Sequence, residues 1–334
     1  MMATQSLFGI IKVYKGARVL VAGGTGTIGV PVVRELLNRG ANVSIVSLDD
    51  KSKAEGIFGR SFDQINFMRL DLTSEDSCKK AVTAQDFVFN LVGIKGSVGI
   101  GETKVASYLI PMLRFQTNLM EAAFNEGITR FLFTGSVCSY PQAEMHIEDN
   151  MWNGIPKQND RIPGIAKRVG EILGEAFQLE YGWDAVRVVR PSNVYGPYDD
   201  FNPATAQVIP SLIHKVLRAD SPIKVWGDGS AVRDFIFSED VAYWMLETLE
   251  KAPSNYPINL GNGSGLSIKS IAETIVRIIK PDCKLVWDSS GPVGDPIRIM
   301  SMNRAKEVLG FHQLTTIEEG ITRTVDWYRE QALN

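Results

Sequence analysis

Short runs of aliphatic and β-branched residues alternate with longer stretches whose apolar positions recur at helical spacing through the first half of the chain. Arg18–Ala22, Val43–Val46, Ile65–Arg69, Phe87–Val92, Arg130–Thr134 and Ala185–Arg190 read as strands. Helical patterns lie between them, over about 28–38, 73–82 and 106–125, and Gly40 is placed to end the first. Strands that alternate with helices predict an α/β protein of the Rossmann type, a doubly wound parallel sheet with helices on both faces. The second half is less regular. Amphipathic helices are predicted over Val208–Leu217, Ser267–Ile279, Ser301–Leu309 and Ile317–Ala332. The expected division is an N-terminal extension (1–17), a dinucleotide-binding domain (mainly 18–190) and a small C-terminal α/β substrate lobe (mainly 191–334) with segments that return to the sheet. That lobe is expected to cover the carboxyl edge of the strands, where open α/β sheets bind ligands.

Composition narrows the function classes. Of 334 residues, 44% are hydrophobic and 22% charged, and Lys+Arg (35) nearly balance Asp+Glu (38). No block of like charge points to nucleic acid or to an acidic membrane. No apolar run is long enough for a membrane span, and residues 1–16 lack the features of a secretory signal. Three scattered cysteines and three scattered histidines offer neither a disulfide framework nor metal-ligand spacing, which leads to the expectation of a cytoplasmic protein with reduced thiols and no metal.

The strongest local signal is Val19-Leu-Val-Ala-Gly-Gly-Thr-Gly-Thr-Ile-Gly29, a strand running into a glycine-rich turn and a helix. Gly23, Gly26 and Gly29 let the backbone approach a pyrophosphate that sits on the helix N-terminus, flanked by Thr25, Thr27 and Ile28. NAD binders usually place an acid about 20 residues further on. Here strand two ends Ser47-Leu48-Asp49-Asp50: the carboxylates favour NAD, whereas Lys51 and Lys53 offer charge for the 2′-phosphate of NADP. Asp71, before Leu72, is placed either near the adenine or at the N-cap of the next helix, a role open to Thr73 and Ser74 too.

These residues and five further stretches carry a family resemblance: Gly135-Ser-Val-Cys-Ser-Tyr-Pro141, Arg190-Pro-Ser-Asn-Val-Tyr-Gly-Pro197, Val208-Ile-Pro210, Val225-Trp-Gly-Asp-Gly229 with Arg233-Asp-Phe235, and Asn259-Leu-Gly261. From about Arg18 to Glu330 the chain resembles the extended short-chain dehydrogenases/reductases of the NAD-dependent epimerase/dehydratase group, most closely their GDP-L-fucose synthase branch. The resemblance implies a nucleotide-sugar ligand, GDP-linked, and a homodimer formed through two helices, here about 106–125 and 165–181. Met112, Leu113, Phe115, Leu119 and Met120 supply an apolar surface for the dimer, although burial against the chain's own sheet explains the same pattern. It implies that Leu91, Val92, Pro191, Asn193 and Val194 line the cofactor, and that Asn193, Gln207, Val208, Trp226, Arg233 and Arg298 meet the sugar nucleotide. Ser136 becomes the catalytic serine, Lys167 the lysine that holds the nicotinamide ribose, and Cys138 the base of epimerisation.

Two positions depart from the pattern. The family's catalytic tyrosine stands four residues before the lysine, and that place here is Pro163, which has no proton to exchange. The histidine that precedes Val-Ile-Pro in the fucose-synthase branch is Gln207. Three expectations follow: hydride chemistry at a sugar carbon such as C4, or a 4,6-dehydratase-like reaction, with another acid/base drawn from Cys138, Tyr140, Glu144 and His146; a slow reaction in which Ser136, Lys167 and water move the proton; or a non-catalytic dinucleotide-binding protein.

Overall fold

The computed structural model describes residues 13–94, 105–218, 222–290 and 295–333; the first twelve residues of the expected N-terminal extension lie outside that set. The N-terminal half runs β1 (Arg18–Ala22), α1 (Gly29–Asn38), β2 (Asn42–Ser47), α2 (Lys51–Phe58), β3 (Ile65–Arg69), α3 (Glu75–Val82), β4 (Phe87–Asn90), α4 (Val105–Glu126), β5 (Arg130–Thr134), β6 (Met145–His146) and α5 (Arg161–Tyr181). There follow β7 (Val186–Pro191), β8 (Asn193–Tyr195), α6 (Val208–Arg218), β9 (Ile223–Trp226), β10 (Val232–Arg233), β11 (Phe235–Phe237) and α7 (Ser238–Lys251). The chain ends with β12 (Ile258–Leu260), β13 (Leu266–Ser267), α8 (Ile268–Ile279), β14 (Leu285–Asp288), β15 (Ile297–Met300), α9 (Asn303–Leu309) and α10 (Ile317–Leu333).

Seven parallel strands form the main sheet in the order β12-β7-β5-β4-β1-β2-β3. Its central strands are buried on both faces, which is why RVLVA and FVFN read as unbroken apolar runs rather than alternating ones. One core layer packs α1, α7 and α9 on the sheet through Val30, Leu36, Trp244, Met245 and Leu309. The opposite layer packs α3, α4 and α5 through Cys78, Phe115, Leu119, Met120 and Ala166. The chain therefore leaves β1 and β4 toward opposite faces, and the crevice between those two strand ends is the topological switch point.

A third core, built on Ile213, Ile271, Ile275, Ile321 and Val325, joins α6, α8 and α10 with the β9·β14 pair. A four-stranded sheet, β13-β10-β15-β6, links the two halves: β15 pairs in parallel with β10 on one side and with β6 on the other.

Three features differ from the sequence-based expectations. The segment 301–309 does not join the second lobe; Ala305 and Leu309 pack with α7 and β12 in the main-sheet core. The apolar residues of α4 do not form an outer face. Met112, Phe115, Leu119 and Met120 are buried in the chain's own core, and Leu113 packs partly against it. Helix α7 and strand β12 were not expected. In α7 the buried set includes Ser238, Asp240, Glu247 and Thr248, which blurs the apolar stripe, and β12 is only three residues long.

Candidate functional site

At the switch point the chain turns sharply after β1. Gly23 has φ +85°, and a Cβ there meets the Leu91 carbonyl at 3.2 Å. A Cβ at Gly29 lands 2.1 Å from the Gly23 carbonyl oxygen, so α1 packs too closely on the turn for any other residue. Gly26 is different. A Cβ there meets only the Gly23 oxygen, at 3.6 Å, so no protein contact demands glycine, whereas a ligand's pyrophosphate laid on the turn does. No side chain caps the N-terminus of α1. Buried at the ends of neighbouring strands, Asn90 Oδ1 and Thr134 Oγ1 have no hydrogen-bond partner among the described residues. An open glycine turn, an uncapped helix and orphaned polar atoms fit a dinucleotide.

The carboxyl end of β2 is organised around Asp49. The Thr25 hydroxyl donates to Asp49 Oδ2 (2.7 Å) and shares a 2.8 Å hydrogen bond with Ser47, whose Oγ accepts the Asp49 N–H. Lys53 Nζ lies 2.9 Å from the same carboxylate. Burial works against the Asp49 charge, but the bonds from Thr25 and Lys53 outweigh it and hold the carboxyl below the usual range. Thr27, nearly buried, points its hydroxyl at the Tyr198 carbonyl (3.2 Å) and Asp199 Oδ1 (3.3 Å), tying the glycine turn to the segment after β8. Further along the edge, Ser74 caps α3, and Asp71 instead accepts the Thr73 N–H and hydroxyl (2.9 and 2.8 Å). The Leu72 side chain is buried in the core, and Val92 packs partly against it. Pro191 ends β7, paired with Leu260, and Val194 sits in β8.

Beyond β5 the chain makes a tight turn in which Ser136 Oγ accepts the Cys138 N–H (3.1 Å). Helix α5 presses on this turn: a Cβ at Gly164 lands 2.2 Å from the Cys138 carbonyl oxygen. Pro163 is the third residue of α5, where no intrahelical acceptor awaits its missing N–H, so proline is at home there. One turn further on, Lys167 is buried with its Nζ 5.5 Å above the Phe133 ring. Burial lowers its pKa to about 8, although Glu171 and Cys138 pull upward. Cys138 is pushed up to about 11, by burial first and by the neighbouring Asp160 carboxylate second, so its thiol is protonated at neutral pH.

From the second half of the chain, the paired strands β10 and β15 bring Arg233 and Arg298 side by side. Arg298 donates to Asp160 (2.7 Å), and Arg233 donates to the Asp295 carbonyl (2.6 Å), whose carboxylate holds Lys157 (2.6 Å). Cys138 thus has Ser136, Lys167 and Arg298 as neighbours, and Arg233 adjoins Arg298 on the paired strand. Gln207 precedes α6 and Val208 begins it, partly exposed, while Trp226, 70% exposed, ends β9. The Asn193 amide donates to the Asp234 carbonyl (2.7 Å).

Of the four acid/base candidates, Tyr140 is committed to hydrogen bonds, His146 is buried and Glu144 is exposed. Tyr140 donates to Asn259 Oδ1 (2.6 Å) and accepts from Arg190 (2.9 Å). The buried His146 ring stacks on Tyr140 at 4.7 Å, and burial lowers its pKa to about 4. Glu144 is exposed and contributes its backbone carbonyl to the Ile299 N–H. Sequence reasoning missed Asp160, whose only signal was its place at the start of α5. It also missed Glu171, one turn beyond Lys167 and therefore on its helix face.

Comparison with known proteins agrees with this geometry. A rice protein (Oryza sativa subsp. japonica) named "Probable GDP-L-fucose synthase 1" is 30% identical over 329 residues, covering 96% of this chain and 94% of its own. The dTDP-4-dehydro-6-deoxy-D-allose reductase of Streptomyces bikiniensis is 28% identical over 95% of this chain and 97% of its own. Among solved structures, the UDP-glucose 4-epimerase of Thermotoga maritima, with UDP-glucose, superposes with a TM-score of 0.82 at 27% identity, over 94% of this chain and 99% of that one. Residues 19–261 match the family described as NAD dependent epimerase/dehydratase, so the chain belongs to that family, whose cofactor is a nicotinamide dinucleotide.

Proposed function

We propose that the protein is an NAD(P)-dependent nucleotide-sugar oxidoreductase/epimerase that moves hydride at a sugar carbon such as C4, with a GDP-linked sugar as substrate. The observation that carries the reading is the position of Cys138: its thiol neighbours both Lys167 of α5 and the ion pair between Asp160, just before α5, and Arg298 of β15, in the sheet joining the two halves. The dinucleotide, when bound, supplies or accepts the hydride. Everything else falls to the chain. Gly23, Gly26 and Gly29 with the start of α1 receive the pyrophosphate. Arg233 and Arg298 set two permanent positive charges where a sugar-nucleotide diphosphate is neutralised. Ser136 orients the reacting sugar oxygen, and the protonated Cys138 thiol faces the sugar ring. Curated relatives named for both GDP- and dTDP-sugars match over nearly the full chain, and the fucose synthases among them favour GDP. Asp49, charged and tied to Thr25 and Lys53, favours NAD, because a 2′-phosphate would meet its carboxylate while Lys53 is already engaged.

Purified protein tests this directly. The bound dinucleotide is identified by mass, and GDP-, UDP- and dTDP-hexoses and their 4-keto-6-deoxy forms are supplied while reduced nicotinamide is followed by absorbance. Turnover with one sugar class supports the reading. Tight dinucleotide binding with no turnover on any sugar supports a non-catalytic binder, the reading that Pro163 and Gln207 favour.

For the dimer, the two expected helices carry the proposal, through residues other than the buried apolar set of α4. Ile165, Ile172 and Leu179 recur every seven residues along α5 and are exposed, with Ile110 exposed on α4. Sedimentation of Ile172→Glu should show a monomer; an unchanged mass would remove α5 from the interface.

A further inference from the structure

We propose that Lys167 is itself the group that exchanges the proton with the sugar oxygen, in place of the side chain that Pro163 lacks. The inference rests on the nucleotide-sugar reading above and deepens it.

Lys167 stands one helical turn from Pro163 on the same face of α5, so its side chain rises beside the empty position. Its ammonium is buried over the Phe133 ring, and no hydrogen-bond acceptor among the described residues meets it. A lysine that serves only as a fixed cation needs a counter-charge, and the one carboxylate near it is already committed. Glu171 is gripped by Arg190 from β7, through Nε–Oε1 at 3.0 Å and Nη2–Oε2 at 2.6 Å. Its other titratable neighbour, the Cys138 thiol from the turn after β5, is uncharged at neutral pH. A cation that is desolvated and has no free counter-charge gives up its proton readily. The midpoint near 8 follows from that arrangement and places both forms of the amine within the working range.

The step balances simply. In the oxidative direction the neutral amine takes the hydroxyl proton as the carbinol hydrogen leaves as hydride to the oxidised nicotinamide. The sugar carbon becomes a ketone, and Lys167 becomes an ammonium. In reduction the ammonium returns the proton to the forming alkoxide. Tyr140, His146 and Asp234 are less suited: Tyr140 is held by Asn259 and Arg190, the buried His146 ring is stacked on Tyr140 with its pKa lowered to about 4 by burial, and Asp234 accepts N–H groups from Asn262, Gly263 and Met300.

Three measurements on the dinucleotide-loaded protein test this. In the first, the Lys167 Nζ resonance, assigned by its loss in Lys167→Arg, is titrated in ¹⁵N-lysine-labelled protein. A midpoint near 8 is expected, and one at the ordinary lysine value of about 10.4 overturns the proposal. Second, oxidation of the sugar nucleotide that the panel identifies should rise with pH through that same midpoint and then level, because only the neutral amine accepts a proton. Third, Lys167→Arg, which keeps the charge, should lose about a hundredfold or more in turnover at saturating dinucleotide, with occupancy followed by fluorescence of the reduced nicotinamide. Added methylamine should restore part of the turnover of Lys167→Ala. Full turnover by Lys167→Arg, or a flat pH profile, removes the lysine from the proton step and leaves the nucleotide-sugar reading standing. No turnover on any sugar, with dinucleotide bound, removes both.

Discussion

Arg190 and Glu171 form a bidentate ion pair between β7 and α5, both side chains almost wholly removed from solvent. Arg190 also donates to the Tyr140 hydroxyl and to the Glu148 carbonyl, each at 2.9 Å, so one guanidinium fastens the sheet, the helix that bears Lys167 and the segment after the Ser136 turn. Removing one partner strands a buried charge. Glu171→Ala is therefore expected to lower unfolding free energy by about 3–5 kcal/mol. Urea denaturation checks this, and a loss of under about 1 kcal/mol would show that the pair is solvated.

Two glycines of the same turn should behave oppositely. Gly29→Ala forces a methyl into the Gly23 oxygen and should destabilise the fold by about 1–3 kcal/mol. Gly26→Ala has room in the free protein and should keep its melting temperature while losing dinucleotide affinity, read by fluorescence titration. Equal affinity in Gly26→Ala and the parent would place the pyrophosphate elsewhere.

His146 is predicted to make the protein acid-sensitive. Its folded pKa, near 4, lies below the unfolded 6.5, because burial disfavours the cation. The folded state thus binds fewer protons than the unfolded one. Stability is complete above pH 6.5 and falls as pH drops toward 4, by about 3 kcal/mol at the acid limit. Neither ring nitrogen has a partner among the described residues, so His146→Phe keeps the stack on Tyr140 and should flatten that slope. A slope that persists in His146→Phe assigns the sensitivity to the carboxylates.

Pro163→Tyr probes the empty position. Proline in the first turn of α5 contributes only backbone restriction, so the replacement should cost under about 1 kcal/mol in thermal unfolding. Because Lys167 already carries the proton, turnover on the identified sugar should change by less than about tenfold. A rise of about 10²- to 10⁴-fold, the usual worth of a positioned acid/base, would show that the parent lacks one.

Much of this architecture was legible before any coordinates. The strands β1, β3 and β5 begin and end where their apolar runs do, and the glycine turn is confined to eleven consecutive residues, because backbone geometry there depends on local sterics. Less was visible where partners are distant. Nothing in Asp160 announces Arg298, 138 positions away, and nothing in Tyr140 announces Asn259, 119 positions away. The apolar face of α4 was plain, but not its partner: period alone cannot tell a helix that packs on its own sheet from one that awaits a second chain.

Local propensity and pattern determined the alternation of strands and helices, the dinucleotide turn and the absence of a proton-bearing side chain at position 163, since each of these is written in adjacent residues. Packing alone decided which titratable groups are free to react. Burial and hydrogen-bond partners come from segments far apart in the chain: they withdraw Tyr140 and Glu171 into structural bonds and bury the His146 ring against Tyr140, while leaving Lys167 desolvated beside Cys138.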